Sequence, residues 1–315
     1  MHNKIIVIGS GNSGSGAIFD YLSGQKQNLS FLNGKEFRLI HDPDGLSDLH
    51  INNYQNFSIN NSASSFMRFQ NIFSKFALKQ KSNKKLIKLL NIYLSNVIEL
   101  KYNALPEFYK NKLNLNDKLN FYMNRIIFKK KIHKIKLLNM TLPIEEEKFI
   151  KITKIFINDI IKTIHPNIKK YKNVILNQGG NYWNLDQSTK YFDNYKIIIV
   201  DRDPRSIYWS MKRTGAFSYP GHDVDIFINW YKKTQKIFEN NFKKNKKILK
   251  INYEKFLNNY TNQKKVINKF IGFNTKVESN FNYKKSCLNL YKAKYKLGKT
   301  ELNKIEKNLK NYLKW

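Results

Sequence analysis

The sequence predicts an α/β fold: a doubly wound parallel sheet flanked by helices and interrupted by a large helical insertion. Three observations predict it. Four short β-branched runs, Lys4–Ile8 (KIIVI), Asn173–Asn177 (NVILN), Lys196–Asp201 (KIIIVD) and Lys247–Asn252 (KILKIN), have the apolar character of strands buried on both faces. Each is followed by a helix-compatible segment, the alternation that builds a parallel sheet. Between the first run and its helix lies a glycine-serine loop, Gly9–Gly16, of the kind whose backbone amides cradle anions.

In chain order, Lys4–Ile8 enters that loop, and Ala17, Ile18, Tyr21 and Leu22 then supply an apolar helical face ended by Ser23-Gly24. Glu36–His41 (EFRLIH) predicts a short second strand, closed by the turn Asp42-Pro43-Asp44-Gly45. Asn52–Ser65 is rich in Asn and Ser and reads as a loop. Apolar residues at helical spacing then dominate, with Leu86, Leu89, Leu90, Tyr93, Leu94 and Val97 on one face, and predict a helical insertion over 66–164. The other three strands follow, with a long helix at Asp225–Phe242 and an amphipathic one at Thr300–Leu313 that Thr300 is placed to cap. Strands flank the insertion, so residues 1–315 read as one interrupted α/β domain.

Charge narrows the partner. Lys and Arg number 57 against 23 Asp and Glu, a net charge of +34, and a field of that sign concentrates phosphate, sulfate and acidic glycans. Many lysines outside motifs read as solvated surface, because the chain is rich in Lys, Asn, Ile, Phe and Tyr together. The single cysteine, Cys287, excludes an internal disulfide and points to a reducing compartment. No signal peptide and no bilayer-length apolar run is read, so a cytoplasmic protein is expected, with the inner membrane surface open to its basic faces. The six histidines show no paired ligand spacing, and no metal is expected.

Two loops carry the chemistry. Gly9-Ser10-Gly11-Asn12-Ser13-Gly14-Ser15-Gly16 sets oriented N–H groups and a helix N-terminus against an anion. As Gly-x-Gly-x-x-Gly, through Gly9, Gly11 and Gly14, it also fits a dinucleotide (NAD or NADP) fingerprint, which wants an acidic residue at the end of the second strand; Glu36 stands too early and Asp42 late. As a Walker A loop it fails, since Ser15 stands where the lysine belongs. The second loop, Asp201-Arg202-Asp203-Pro204-Arg205-Ser206, closes the most apolar strand. Pro204 suits a first helical turn, and Arg202, Ser206 and Ser210 converge there with the geometry for a phosphate monoester.

Together these loops resemble the sulfotransferases that use 3′-phosphoadenosine 5′-phosphosulfate (PAPS). Ser13-Gly14-Ser15-Gly16 is similar to the family's Ser-Gly-Thr-type loop for the 5′-phosphosulfate. Arg202-Asp203-Pro204-Arg205 with Ser210 is similar to its 3′-phosphate element, at the same arginine-to-serine spacing of eight. Phe227, Trp230 and Tyr231, then Lys250–Glu254, resemble its aromatic helix and strand-Tyr-Glu element. The likeness covers the first 25 residues and about 173–258, and by arrangement is nearest the bacterial carbohydrate-modifying branch. It implies a P-loop-like sheet, PAPS as donor, a saccharide hydroxyl (polysaccharide or glycolipid) as acceptor, and no metal.

The donor set so implied is Gly11, Asn12, Ser13, Gly14, Ser15, Gly16, Arg202, Arg205 and Ser210. Where the family places Lys or Arg before the Ser-Gly, this chain has Asn12, a neutral donor at the catalytic position. Lys35, Arg38 and Arg68 are the candidate substitutes. The base is expected among Glu36, His41 and Asp42. The polar, aromatic stretch Asn177–Asn184 is suited to a sugar ring, and Tyr283–Lys296, with Gly298 as hinge, to closing over the nucleotide. Two other readings compete: a dinucleotide-dependent Rossmann enzyme, and a non-catalytic nucleic-acid binder with interleaved basic and aromatic residues, although no nucleic-acid partner is expected of a sulfotransferase.

Overall fold

The computed structural model describes residues 2–104, 115–126, 138–215, 219–272 and 281–315. The chain divides into two compact units, residues 1–41 with 165–315, and the contiguous Asp42–Ile164.

The first unit is built on five parallel strands: β1 (Asn3–Gly9), β2 (Asn28–Ser30), β5 (Asn173–Asn177), β6 (Tyr195–Asp201) and β7 (Ile248–Asn252), in the order β2-β5-β1-β6-β7. This is the α/β, P-loop-like sheet that the sequence predicts. Ile5, Ile6, Val7 and Ile8 are fully buried, because β1 is central and alternate side chains face opposite layers. Ile5 and Val7 pack with Ile198, Val200 and Ile251 against Ile18, Tyr21 and Leu22 of the helix Ser15–Ser23. Each such side chain contributes about 1.5–3 kcal/mol of burial. A separate core joins Ile207, Tyr208 and Met211 of the helix Pro204–Arg213 to Phe227, Ile228 and Tyr231 of the helix Val224–Asn241 and to Ile305 of the helix Lys299–Asn308.

Three details differ from expectation. Glu36–His41 is not a strand. The edge of β5 at 173–175 is already filled by β2, and only the Phe37 amide reaches it, donating to Asn177 O at 2.8 Å. The apolar residues of that segment, Phe37, Leu39 and Ile40, are buried as anchors. The last helix is capped by the Gly298 amide on Glu301 Oε2 (3.1 Å), not by Thr300. The stretch Asn52–Ser65 read as a loop is helical at Ile51–Gln55, where a π turn continues the preceding helix, and again from Ile59, where Ser58 Oγ accepts the Asn61 amide at 3.0 Å.

The second unit begins at Asp42, earlier than the insertion read at 66–164. It holds the helices Leu46–His50, Ile59–Leu78, Asn83–Val97, Leu115–Ile126 and Glu146–Ile164, and an antiparallel hairpin of β3 (Ile98–Ala104) and β4 (Leu138–Pro143). Its core is aromatic, with Tyr93 stacked on Phe156 at 4.0 Å and Phe69 and Phe73 packed beside them. No helix among the described residues is long and apolar enough to cross a membrane.

Candidate functional site

β1 and β6 pair to their last rungs, Gly9 opposite Val200. The loops leaving their carboxyl ends therefore emerge side by side, where open α/β sheets bind ligands.

The first loop turns through three left-handed residues, Gly11 (φ 88°), Asn12 (φ 51°) and Gly14 (φ 87°). Aromatic rings fill the space that side chains would need. A Cβ at Gly11 would stand 2.6 Å from the Tyr219 ring, and one at Gly14 only 2.5 Å from the Tyr253 ring. Gly14 ends the turn at the N-cap of the helix Ser15–Ser23, and with the Ala17 amide donating to Gly14 O at 3.0 Å, the Ser15 and Gly16 amides are the first-turn donors placed for an anion. Ser13 Oγ is buried without a hydrogen-bond partner, and Ser15 Oγ receives Gln178 Nε2 at 3.1 Å. A Cβ at Gly16 would meet nothing within 4 Å.

These environments separate two glycine substitutions. Gly14→Ala combines left-handed strain with overpacking against Tyr253, and a loss of about 2–5 kcal/mol is expected. Gly16→Ala, inside the helix, is expected to hold or gain up to about 1 kcal/mol. Urea midpoints followed by circular dichroism check both.

At the second loop Pro204 opens its helix, and Asp203 caps it, Oδ1 accepting the Arg205 amide at 2.9 Å. Arg202 is 8% exposed. Its Nη1 donates to Ser210 Oγ (3.1 Å) and to the Asn12 carbonyl of the first loop (3.0 Å), while its guanidinium lies 5.0 Å from the Tyr253 ring centre. Arg202 Nε makes no hydrogen bond; Glu254 Oε1 is 3.9 Å away. Burial lowers the Arg202 pKa, against the opposing pull of Tyr253 and Glu254. Burial also raises that of Glu254, whose Oε1 accepts the Asp203 amide at 3.1 Å.

Arg205 is placed differently from the role expected of it. It pairs with both oxygens of Asp203 at 2.9 Å and with Glu306 at 2.6 Å, stacks 3.4 Å above the Trp315 ring and donates to the Trp315 backbone oxygen. Its donors are engaged with protein, and it ties the corner to the last helix.

A cavity of about 510 Å³ is lined by the first loop, from Gly9 to Gly16. Glu36, Arg38 and His41 line it, as do Gly180, Tyr182 and Trp183 of the polar, aromatic stretch after β5. The structure thus brings two of the three expected bases to the loop's glycines and Ser15. Asp42 and Arg68 belong to the second unit, where Arg68 Nε meets Asp44 at 2.7 Å. Lys35, Arg202, Arg205 and Ser210 do not line the cavity; Arg202 braces the loop through the Asn12 carbonyl. The segment from Tyr283 does not line it either, and Tyr283 stacks on Tyr260 at 4.5 Å. Sequence reasoning did not single out Tyr219, which lines the cavity and has its pKa raised by burial, with Arg38 lowering it and Glu36 raising it. No spacing signal marks that residue. No group of three His, Cys, Asp or Glu residues fit for a metal stands together among the described residues.

No family profile matches the chain, and no curated protein does. Among solved structures it is similar to the sulfotransferase STF9 from Mycobacterium avium, at 10% identity and a TM-score of 0.44, over 99% of this chain and 76% of that one. It is likewise similar to the sulfotransferase domain of the Synechococcus PCC 7002 olefin synthase (15%, TM-score 0.40, 87% and 74%). A third is the sulfotransferase domain from the curacin biosynthetic pathway (12%, TM-score 0.42, 88% and 76%). At these TM-scores the likeness is loose, and the fold is defined by the strand order of the sheet itself.

Proposed function

We propose that the chain is a sulfotransferase that moves a sulfuryl group from PAPS to a hydroxyl of a saccharide acceptor, on a polysaccharide or a glycolipid. The observation that carries this reading is Arg202. Buried, it reaches Ser210 and the glycine loop with one nitrogen while its Nε has no hydrogen-bond partner, which fits an arginine kept for an anion. In this reading the amides of Gly11–Gly16 and the helix N-terminus hold the 5′-phosphosulfate, and Arg202 with Ser210 holds the 3′-phosphate. The donor supplies an activated sulfuryl group, so the protein's part is positioning and charge stabilisation. Glu36 or His41 takes the acceptor proton, and the half-buried Trp183 at the cavity wall offers the flat apolar surface on which a sugar ring stacks, while Tyr182, buried and stacked on Phe238 at 4.4 Å, backs it.

The dinucleotide alternative loses its acid. The second strand, β2, ends in Ser30 and lies beside β5 rather than β1, so the acidic residue that a dinucleotide fold places at the end of its second strand, next to β1, is missing there. Calorimetry with adenosine 3′,5′-bisphosphate, followed by transfer from radiolabelled PAPS to a panel of oligosaccharides and glycolipids, tests the proposal. Binding of the bisphosphate with label in a glycan supports it; no binding overturns it.

A further inference from the structure

The geometry points to Arg38 as the catalytic cation of this site, standing in from a separate segment for the charge that the glycine loop lacks at Asn12; the inference rests on the sulfuryl-transfer reading. In that transfer the acceptor oxygen bonds to sulfur while the bond from sulfur to the bridging phosphate oxygen breaks. The electron pair stays on that oxygen, giving adenosine 3′,5′-bisphosphate and a sulfate ester, and the acceptor proton passes to a carboxylate. Charge therefore grows on an oxygen held at the loop, and a cation there is worth far more than a neutral donor.

Asn12 cannot supply it. The residue is neutral, and its left-handed backbone is one that asparagine tolerates better than lysine does. Among the described residues lining the cavity, Arg38 is the single permanent cation. Its position is fixed: the Phe37 amide on Asn177 O (2.8 Å) and Asn177 Nδ2 on Gly34 O (3.0 Å) fasten the segment to the carboxyl end of β5. The Tyr219 phenol responds to both Arg38 and Glu36, and its ring lies where a Gly11 side chain would be, which sets the pair beside the loop.

Arg38 Nη1 stands 3.3 Å from Glu36 Oε2, and both side chains are about half exposed (47% and 46%). An ion pair so wetted is weak and easily exchanged. An incoming phosphosulfate draws the guanidinium to itself, and the same movement releases the Glu36 carboxylate to accept the acceptor proton.

The test uses water as acceptor, so that no glycan need be known: sulfate release from labelled PAPS, with the affinity for adenosine 3′,5′-bisphosphate measured in parallel. Arg38→Ala is expected to slow release roughly 10²- to 10³-fold while affinity stays within about threefold. Added guanidinium ion, or Asn12→Lys placed in the Arg38→Ala protein, is expected to restore about tenfold or more. An Arg38→Ala protein as fast as the parent overturns the inference, and so does an affinity loss as large as the rate loss. A parent protein that binds the bisphosphate but releases no sulfate also overturns it, leaving the donor site standing, whereas a parent that binds nothing removes the sulfuryl-transfer reading itself.

Discussion

Arg202→Ala is expected to weaken binding of adenosine 3′,5′-bisphosphate by about 10²- to 10⁴-fold. In the proposed role two charge-assisted hydrogen bonds to a phosphate would be lost, each worth about 1.5–3 kcal/mol, and every 1.4 kcal/mol is about tenfold in affinity. The mutation also removes the bond from Arg202 Nη1 to the Asn12 carbonyl, so the glycine loop loses a brace at the same time. Arg202→Lys keeps the charge and loses the fork, and should fall between parent and alanine. Calorimetric titration of all three decides the matter: an alanine variant within threefold of the parent contradicts the phosphate role of Arg202.

Asp203→Ala should be the most destabilising change in the corner, by about 3–5 kcal/mol. Asp203 is fully buried and accepts from the Arg205 amide, from two nitrogens of the Arg205 guanidinium and from the Lys314 amide (2.7 Å). Its removal deletes a helix cap and leaves a side chain only 5% exposed with Glu306 as its remaining acid. Replacing the pair together, Asp203→Ala with Arg205→Met, should recover much of the loss, because a buried ion pair exchanged for apolar packing is often neutral. Urea denaturation of the single and double variants measures this; a double variant no more stable than the single would show that Arg205 is not the strained partner.

Much of the fold was legible because four of the five parallel strands announce themselves. KIIVI, NVILN and KIIIVD are apolar where the sheet is covered on both faces, while KILKIN is the edge strand β7, buried chiefly at Ile251. The fifth, β2, is three residues long with a polar residue at each end and carries no such signal; its edge position asks for none. The apolar residues of EFRLIH were a sounder clue to burial than to hydrogen bonding, since Phe37 and Ile40 are core residues in a segment with no ladder. At the site, the glycine loop and Arg202 with Ser210 were legible from local spacing, and the structure joins them through Asn12. The fate of Arg205 was not, because Glu306 and Trp315 lie about a hundred residues further along the chain. Tyr219 was hidden for the same reason: its relation to Gly11 exists only in three dimensions.

The register of β1 has a consequence for synthesis. Asn3 is paired with Asn173, and the strands on either side of β1 are β5 and β6, so no hydrogen-bonding neighbour for it exists until some 170 residues have been made. At about 5–20 residues per second that interval is roughly 10–30 s. For that time Ile5, Ile6, Val7 and Ile8 are a bare apolar strand outside the ribosome, while the contiguous unit from Asp42 to Ile164 can mature beside it. The nascent β1 segment is thus left unpaired until then, and the glycine loop acquires its shape only after β5 and β6 have arrived.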